Sequence, residues 1–257
     1  MRLGIIPFVN MAPHFHFLSA RWLQQHELTR GNPRQLGQLA LAGRLDAAPF
    51  SYAHGLELVG SGEFEWLGDT GVCGAGPIQS ILLVGEDRPQ ALAGQAISVT
   101  PHTATTVRLL QLWLRQRHGV HDFRLVDPGQ PCAAQLLIGD QALQRHLQLG
   151  GSEPQVDLSA EWMDWVGKPF VFARWAVRAS LPARAKGELA LSVLSAVDLA
   201  LGDMGEVARA EALRTGLPEA AVLAYLRGIR YKLGTEELAG AAEFERRWRA
   251  LEGAGAA

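Results

Sequence analysis

Residues 32–51 read NPRQLGQLALAGRLDAAPFS, and they decide the fold class. Asn32 brings a side-chain oxygen to the free N–H groups of a helix start, and Pro33 at the first helical position has no N–H to leave unpaired. Leu36, Leu39 and Leu41 supply a packed side until Gly43 stops the helix. Residues 47–50 then read as a short strand whose carboxyl edge delivers Ser51. A helix running straight into a buried strand is one beat of a βα rhythm. The preceding residues hold the same beat: 3–8 read as a buried strand, 10–13 as a loop and 17–23 as an amphipathic segment.

Outward from there, residues 80–84 are strand-like, 85–89 form a polar connector and 96–100 start a new unit. Its strand-to-helix turn carries Pro101, Thr103, Thr105 and Thr106, and 107–117 has the apolar and polar faces of a helix. Further strands are predicted at 123–126 and 135–138, the second ending in Gly139 and Asp140. Residues 169–177 cross back, and 187–249 is helix-rich with breaks at Gly202, Gly216 and Pro218. This order predicts an α/β protein of two lobes joined by two crossings, with a ligand cleft between them. The first lobe takes residues 1–86 and 177–257, the second 87–176. Loops at the carboxyl ends of strands would line the cleft, as in open α/β sheets generally.

Composition limits what such a fold does. The 257 residues are 48% hydrophobic, which supports a sizeable core and argues against disorder. Twenty-four Lys and Arg against 26 Asp and Glu leave a net charge of -2, without the broad cationic field of a nucleic-acid binder. Cys73 and Cys132 build neither a disulfide scaffold nor a C-x-x-C thiolate site. No stretch reaches the roughly 18–20 apolar residues that cross a bilayer. The opening MRLGIIPFVN is too short in apolar length for an export signal, so the expectation is a cytoplasmic protein with no membrane and no nucleic-acid partner.

Hydroxyl and amide groups gather at the predicted strand ends. In the turn Thr100 to Thr106, unpaired N–H groups of a helix start and nearby hydroxyls can cradle a carboxylate or phosphate; equally, Thr103 or Thr105 can simply cap the helix. Asn10 follows the first strand, where its amide can orient a ligand oxygen or form an ordinary Asx turn. Ser80 follows GAGPIQ without the G-x-S-x-G frame of an elbow nucleophile, so it reads as a hydrogen-bond donor. Asp140 can bind a ligand hydroxyl or cap the next helix. Gly74-Ala75-Gly76 meets neither nucleotide-loop pattern, and His14 and His16 lack the spacing of a metal pair, so no cofactor and no metal are expected. His102 is either exposed and hydrogen-bonded or a general base. Arg174, inside an apolar strand, can snorkel, pair with an acid or reach an anion. Trp162, Trp165, Phe172 and Trp175 read as core or cleft wall.

Several ordered segments then resemble one family. RLGIIPFVNMAP (2–13) is similar to a strand followed by Leu-Asn-Thr-Ala-Pro, and LALAGRLDAAPFS (39–51) to Leu-x-x-Gly-x-Leu-Asp-x-x-Pro-x-Ser. GPIQSILLV (76–84), ISVTPHTATTVRLL (97–110) and LLIGDQAL (136–143) follow, and DLSAEWMDWVGKPFVFARWAVR (157–178) is similar to DLGxEWxxxTGLPFVFAxWxxR. Together they resemble the menaquinone-biosynthesis chorismate dehydratase family of the futalosine pathway, over nearly the whole chain. The resemblance implies a type II periplasmic-binding-protein-like fold that holds chorismate and releases 3-[(1-carboxyvinyl)oxy]benzoate and water, with no cofactor. It implies Asn10 and Ser80 as catalytic residues, with Ser51, Gln79, Thr103, Thr105, Thr106 and Asp140 as substrate contacts. Met11, Lys168 and Arg174 depart from the family pattern, where Thr, Leu and a small or apolar residue are usual. Two other readings stand beside this one: the related enzyme that makes 1,4-dihydroxy-6-naphthoate, disfavoured by FVNMAP and GPIQS, and a non-enzymatic organic-anion-binding protein. A homodimer through Leu or Trp residues of the C-terminal helices stays open.

Overall fold

The computed structural model describes residues 1–100 and 104–255. In chain order, β1 (Arg2–Ile5) leads into a 3-10 turn, Val9–His14, then α1 (Ala20–Gln24), β2 (Glu27–Arg30), α2 (Pro33–Leu41), β3 (Ala47–Ser51), α3 (Tyr52–Gly60) and β4 (Phe64–Gly74). The middle holds β5 (Ile81–Val84), β6 (Ala96–Val99), α4 (Thr105–Leu112) with a π-helical extension, β7 (Arg124–Val126), β8 (Ala134–Ile138), α5 (Gly139–Leu149), β9 (Gln155–Asp157) and α6 (Leu158–Val166). Last come β10 (Phe170–Arg178), α7 (Ala183–Gly202), α8 (Met204–Thr215), α9 (Glu219–Arg227), β11 (Ile229–Lys232) and α10 (Thr235–Gly255).

The chain forms two units. The first contains Met1–Cys73 and Phe172–Gly234, the second Gly74–Val171 and the residues from Thr235 onward. In the first, a six-stranded sheet runs β11-β4-β10-β3-β1-β2. Leu3 of β1 lies opposite Leu28 of β2 and Ala47 of β3, both parallel, and β10 runs antiparallel to β3 with Arg174 opposite Phe50. The Asn32 signal forms a full capping box: Gln35 N–H donates to Asn32 Oδ1 at 2.9 Å and Asn32 N–H to Gln35 Oε1 at 3.0 Å. Every residue of β3 is buried, and Leu3, Ala47, Trp175, Leu189 and Val193 share one core cluster.

The second unit is built on a five-stranded sheet, β7-β6-β8-β5-β9. β6 lies parallel between β7 and β8, while β5 is antiparallel to β8 and β9. Trp162, Phe170 and Phe244 pack edge to face with centroids 5.0–6.2 Å apart, which ties α10 to α6. No helix among the described residues is long and apolar enough to cross a membrane.

Several expectations need correction. The lobe boundaries expected after residues 86 and 176 fall after 73 and 171, because Ile81–Val84 hydrogen-bonds between β8 and β9 of the second sheet. The chain passes between units a third time after Gly234, since α10 packs on α4 rather than in the first unit. Residues 10–13, expected as a loop, lie in the 3-10 turn, and β2 and β11 are strands where none was expected.

That 3-10 turn is anchored by His14, which is fully buried. Its ring meets Tyr231 edge to face at 5.7 Å and lies 6.4 Å from Trp175. Neither ring nitrogen has a hydrogen-bond partner among the described residues. Burial lowers its pKa to about 3, opposed by the backbone of Met11 and Gly71.

Two outcomes follow from this packing. A Cβ at Gly240 would overlap the carbonyl oxygen of Pro169, so Gly240→Ala should cost roughly 1–3 kcal/mol of stability; an unchanged melting temperature would show that α10 is not seated against Pro169. The unfolded chain protonates the His14 imidazole near 6.5 and the folded protein only near 3. Stability from neutral His14 is therefore complete above about pH 6.5 and lost as pH falls toward 3, by up to roughly 1.4 kcal/mol per pH unit. Urea titrations of wild type and His14→Leu across that window should show a flatter acid decline in the variant.

Candidate functional site

In the first unit the site residues stand at the carboxyl ends of two parallel neighbours, β1 and β3. Phe8 is extended, and the chain then tightens so that Met11 N–H donates to Phe8 O at 2.9 Å. This places Asn10 with its Oδ1 buried and without a hydrogen-bond partner among the described residues. Ser51 ends β3 and precedes α3. Its hydroxyl does not cap that helix but lies 3.0 Å from His54 Nδ1. The sequence reading named Ser51 and missed His54; the signal was the three-residue spacing across a helix start. Any ligand reaching Ser51 meets a hydroxyl already oriented by an imidazole.

In the second unit the register collects the remaining residues at one edge. Ile81 lies opposite Ile138, and Val99 opposite Leu136, so the start of β5 and the ends of β6 and β8 share that edge. Ser80, Thr100 and Asp140 are next to it in the chain. Ser80 is fully buried, its Oγ has no partner among the described residues, and its carbonyl accepts from Gly139 N–H at 2.8 Å. Asp140 sits in the first turn of α5 and is engaged in an interaction, as are the buried Thr105 and Thr106 at the start of α4. Thr103 and His102 lie outside the described residues.

Gln79, just before Ser80, has φ of 58°, the one positive value at a non-glycine residue among those described. What holds it there is Asp157, which the sequence reading passed over. Asp157 Oδ2 accepts from Ile78 N–H at 2.9 Å and Gln79 N–H at 2.7 Å, while Oδ1 accepts from Ser159 and Ala160 N–H at 2.9 and 3.2 Å. Burial pushes the Asp157 carboxyl above its usual range, and the four N–H donors act against that shift. An Asp before a helix announces a cap; its second role, reaching a turn 79 residues away, is not a local signal.

Arg174 resolves to the acid-paired alternative. Its guanidinium donates to Asp69 at 3.1 Å and to Gly68 O at 3.2 Å, and it lies over the Trp66 ring at 5.0 Å. Trp162 and Trp175 are core residues. Among the described residues no group of three or more His, Cys, Asp or Glu is placed to hold a metal ion.

A family model described as menaquinone biosynthesis matches residues 1–250. A chorismate dehydratase from Thermus thermophilus is 29% identical, covering 90% of this chain and 89% of that protein. Among solved structures, an Archaeoglobus fulgidus protein superposes with a TM-score of 0.79 at 18% identity, covering 98% and 97% of the two chains. The periplasmic aliphatic sulphonate binding protein SsuA from Escherichia coli gives 0.63 at 13% identity, over 98% and 91%. The fold is therefore periplasmic-binding-protein-like, and the chain belongs to the menaquinone-biosynthesis family.

Proposed function

We propose that this protein is a chorismate dehydratase, a hydro-lyase that converts chorismate to 3-[(1-carboxyvinyl)oxy]benzoate and water in the cytoplasm, at an early step of the futalosine pathway. Two buried polar atoms without partners among the described residues carry this reading: Asn10 Oδ1 and Ser80 Oγ. Buried polar groups are normally satisfied, and one that is not calls for an explanation, which a bound ligand would supply here. Both stand at sheet-end turns, and both are residues that the sequence alone singles out. The family match and the Thermus thermophilus relative support the substrate.

Elimination removes the ring C4 hydroxyl and the C3 proton. The C3–H electron pair becomes ring π density, the C4–O bond breaks, and the ring becomes aromatic, so no oxidant enters the balance. Ser80 donates to the departing oxygen, and Asn10 orients the ring. The enolpyruvyl carboxylate of the substrate takes the C3 proton and passes it to the departing hydroxide to give water, so the protein need not supply a strong base. The resemblance further assigns Ser51, Gln79, Thr103, Thr105, Thr106 and Asp140 to the substrate, with hydroxyls and helix-start N–H groups holding its carboxylates.

Purified protein incubated with chorismate should yield a product lighter by one water, detected by mass analysis, with no naphthoate formed from cyclic dehypoxanthinylfutalosine. Chorismate binding without turnover would instead make this a binding protein. Ser80→Ala should lower kcat roughly 10²-fold with little change in melting temperature. A folded S80A enzyme with wild-type turnover would remove Ser80 from the mechanism.

A further inference from the structure

The turn that presents Ser80 is held by the Asp157 side chain. Asp157 is largely buried, closes β9 and starts α6, and its two carboxylate oxygens accept four backbone N–H groups. Two of these belong to α6, and they are an ordinary N-cap. The other two belong to Ile78 and Gln79, the residues immediately before Ser80. Gln79 sits in the left-handed region at φ 58°, which a side chain with a Cβ adopts only where its surroundings impose it. The next residue then turns its hydroxyl inward, fully buried and without a partner among the described residues. On its far side the Ser80 carbonyl is fixed by Gly139 N–H at 2.8 Å.

We propose that Asp157 is a positioning residue for the reaction: by gripping the Ile78 and Gln79 N–H groups it holds the left-handed Gln79 that aims the Ser80 hydroxyl at the substrate. This rests on the proposed role of Ser80. The chemistry of the grip is specific to a carboxylate. Each oxygen faces a pair of donors, so an amide at this place would set its NH2 against two N–H groups. Charge assistance also makes these bonds stronger than neutral ones. Asp157 makes no contact with the reacting atoms in this scheme; its effect reaches them through the backbone of one turn.

The decisive experiment separates the turn from the cap. Asp157→Ser keeps an N-cap hydroxyl for α6 but is too short to reach Ile78 and Gln79. Gln79→Gly lets residue 79 take a positive φ without a Cβ, so the turn depends less on its anchor. Steady-state kinetics with chorismate and melting temperatures are measured for wild type, D157S, Q79G and the double variant. D157S should lower kcat about 10²-fold, the scale of a misplaced catalytic group, while KM moves less than about threefold. In the Q79G background the same change should cost several-fold less in kcat, a non-additive cycle that lost stability alone does not produce. Wild-type kcat in D157S, or an equal loss in both backgrounds, would overturn the proposal. Wild-type and S80A turnover, measured first, keep the two ideas apart. A wild type that leaves chorismate unchanged fails the functional reading and the positioning role with it, whereas turnover that S80A loses and D157S keeps fails the positioning role alone.

Discussion

A hydroxyl withdrawn from water without a partner costs of order 1–3 kcal/mol, and the Ser80 turn is arranged around that cost. The backbone is tied down on both sides of it. Ile78 and Gln79 N–H donate to Asp157, and the Ser80 carbonyl accepts from Gly139. The side-chain oxygen has no partner among the described residues. Ser51 shows the contrast, since its hydroxyl is paired with His54. At Ser80 the fixed backbone and the open hydroxyl are what its proposed role as a donor to the substrate requires.

Sheet direction explains why the candidate residues come before some strands and after others. Asn10 and Ser51 follow β1 and β3, which are parallel neighbours, so their carboxyl ends fall on one edge. In the second sheet β6 and β8 are parallel and end at the edge where the antiparallel β5 begins. Ser80 therefore reaches that edge by preceding its strand, while Thr105, Thr106 and Asp140 reach it by following theirs. A search for polar residues only after strands finds the second group and undervalues the first. The positions differ in sequence order and agree in space within their unit.

Much of this was legible without coordinates, where the signal is local. Asn32 and Pro33 mark a helix start whose capping bonds need only the four residues 32–35. Residues 47–51 are apolar enough to be a strand in any environment, and they are buried throughout. What escaped was set by distant partners. β2 has mostly exposed residues, and its pairing with β1 rather than its own pattern makes it a strand. β11 is a short alternation between two helices. Whether α10 belongs to the first or second unit depends on Pro169, Phe170 and Trp162, none of which is near it in sequence. For Arg174 the sequence left snorkelling, an acid pair and an anion contact open. Asp69 and Trp66, more than a hundred residues earlier, take it up.

The arrangement around Gln79 also bears on why neutral groups suffice for the chemistry proposed. Forming an aromatic ring drives the loss of water, so the barrier lies in alignment and in charge developing on the departing oxygen. A fixed donor addresses both, because a preorganised dipole does not have to reorganise as that charge appears. Fixing it requires backbone strain to be held somewhere, and in this chain the left-handed residue and the unpartnered hydroxyl are consecutive. Strain of that kind persists where the surrounding structure over-determines it, and a carboxylate taking four N–H bonds is such a surrounding. A turn needed only to reverse the chain would place glycine at this position, as the structure does at the other left-handed positions it describes. A glutamine kept there, against its own preference and under the grip of a buried acid, is accounted for by what the next residue must face.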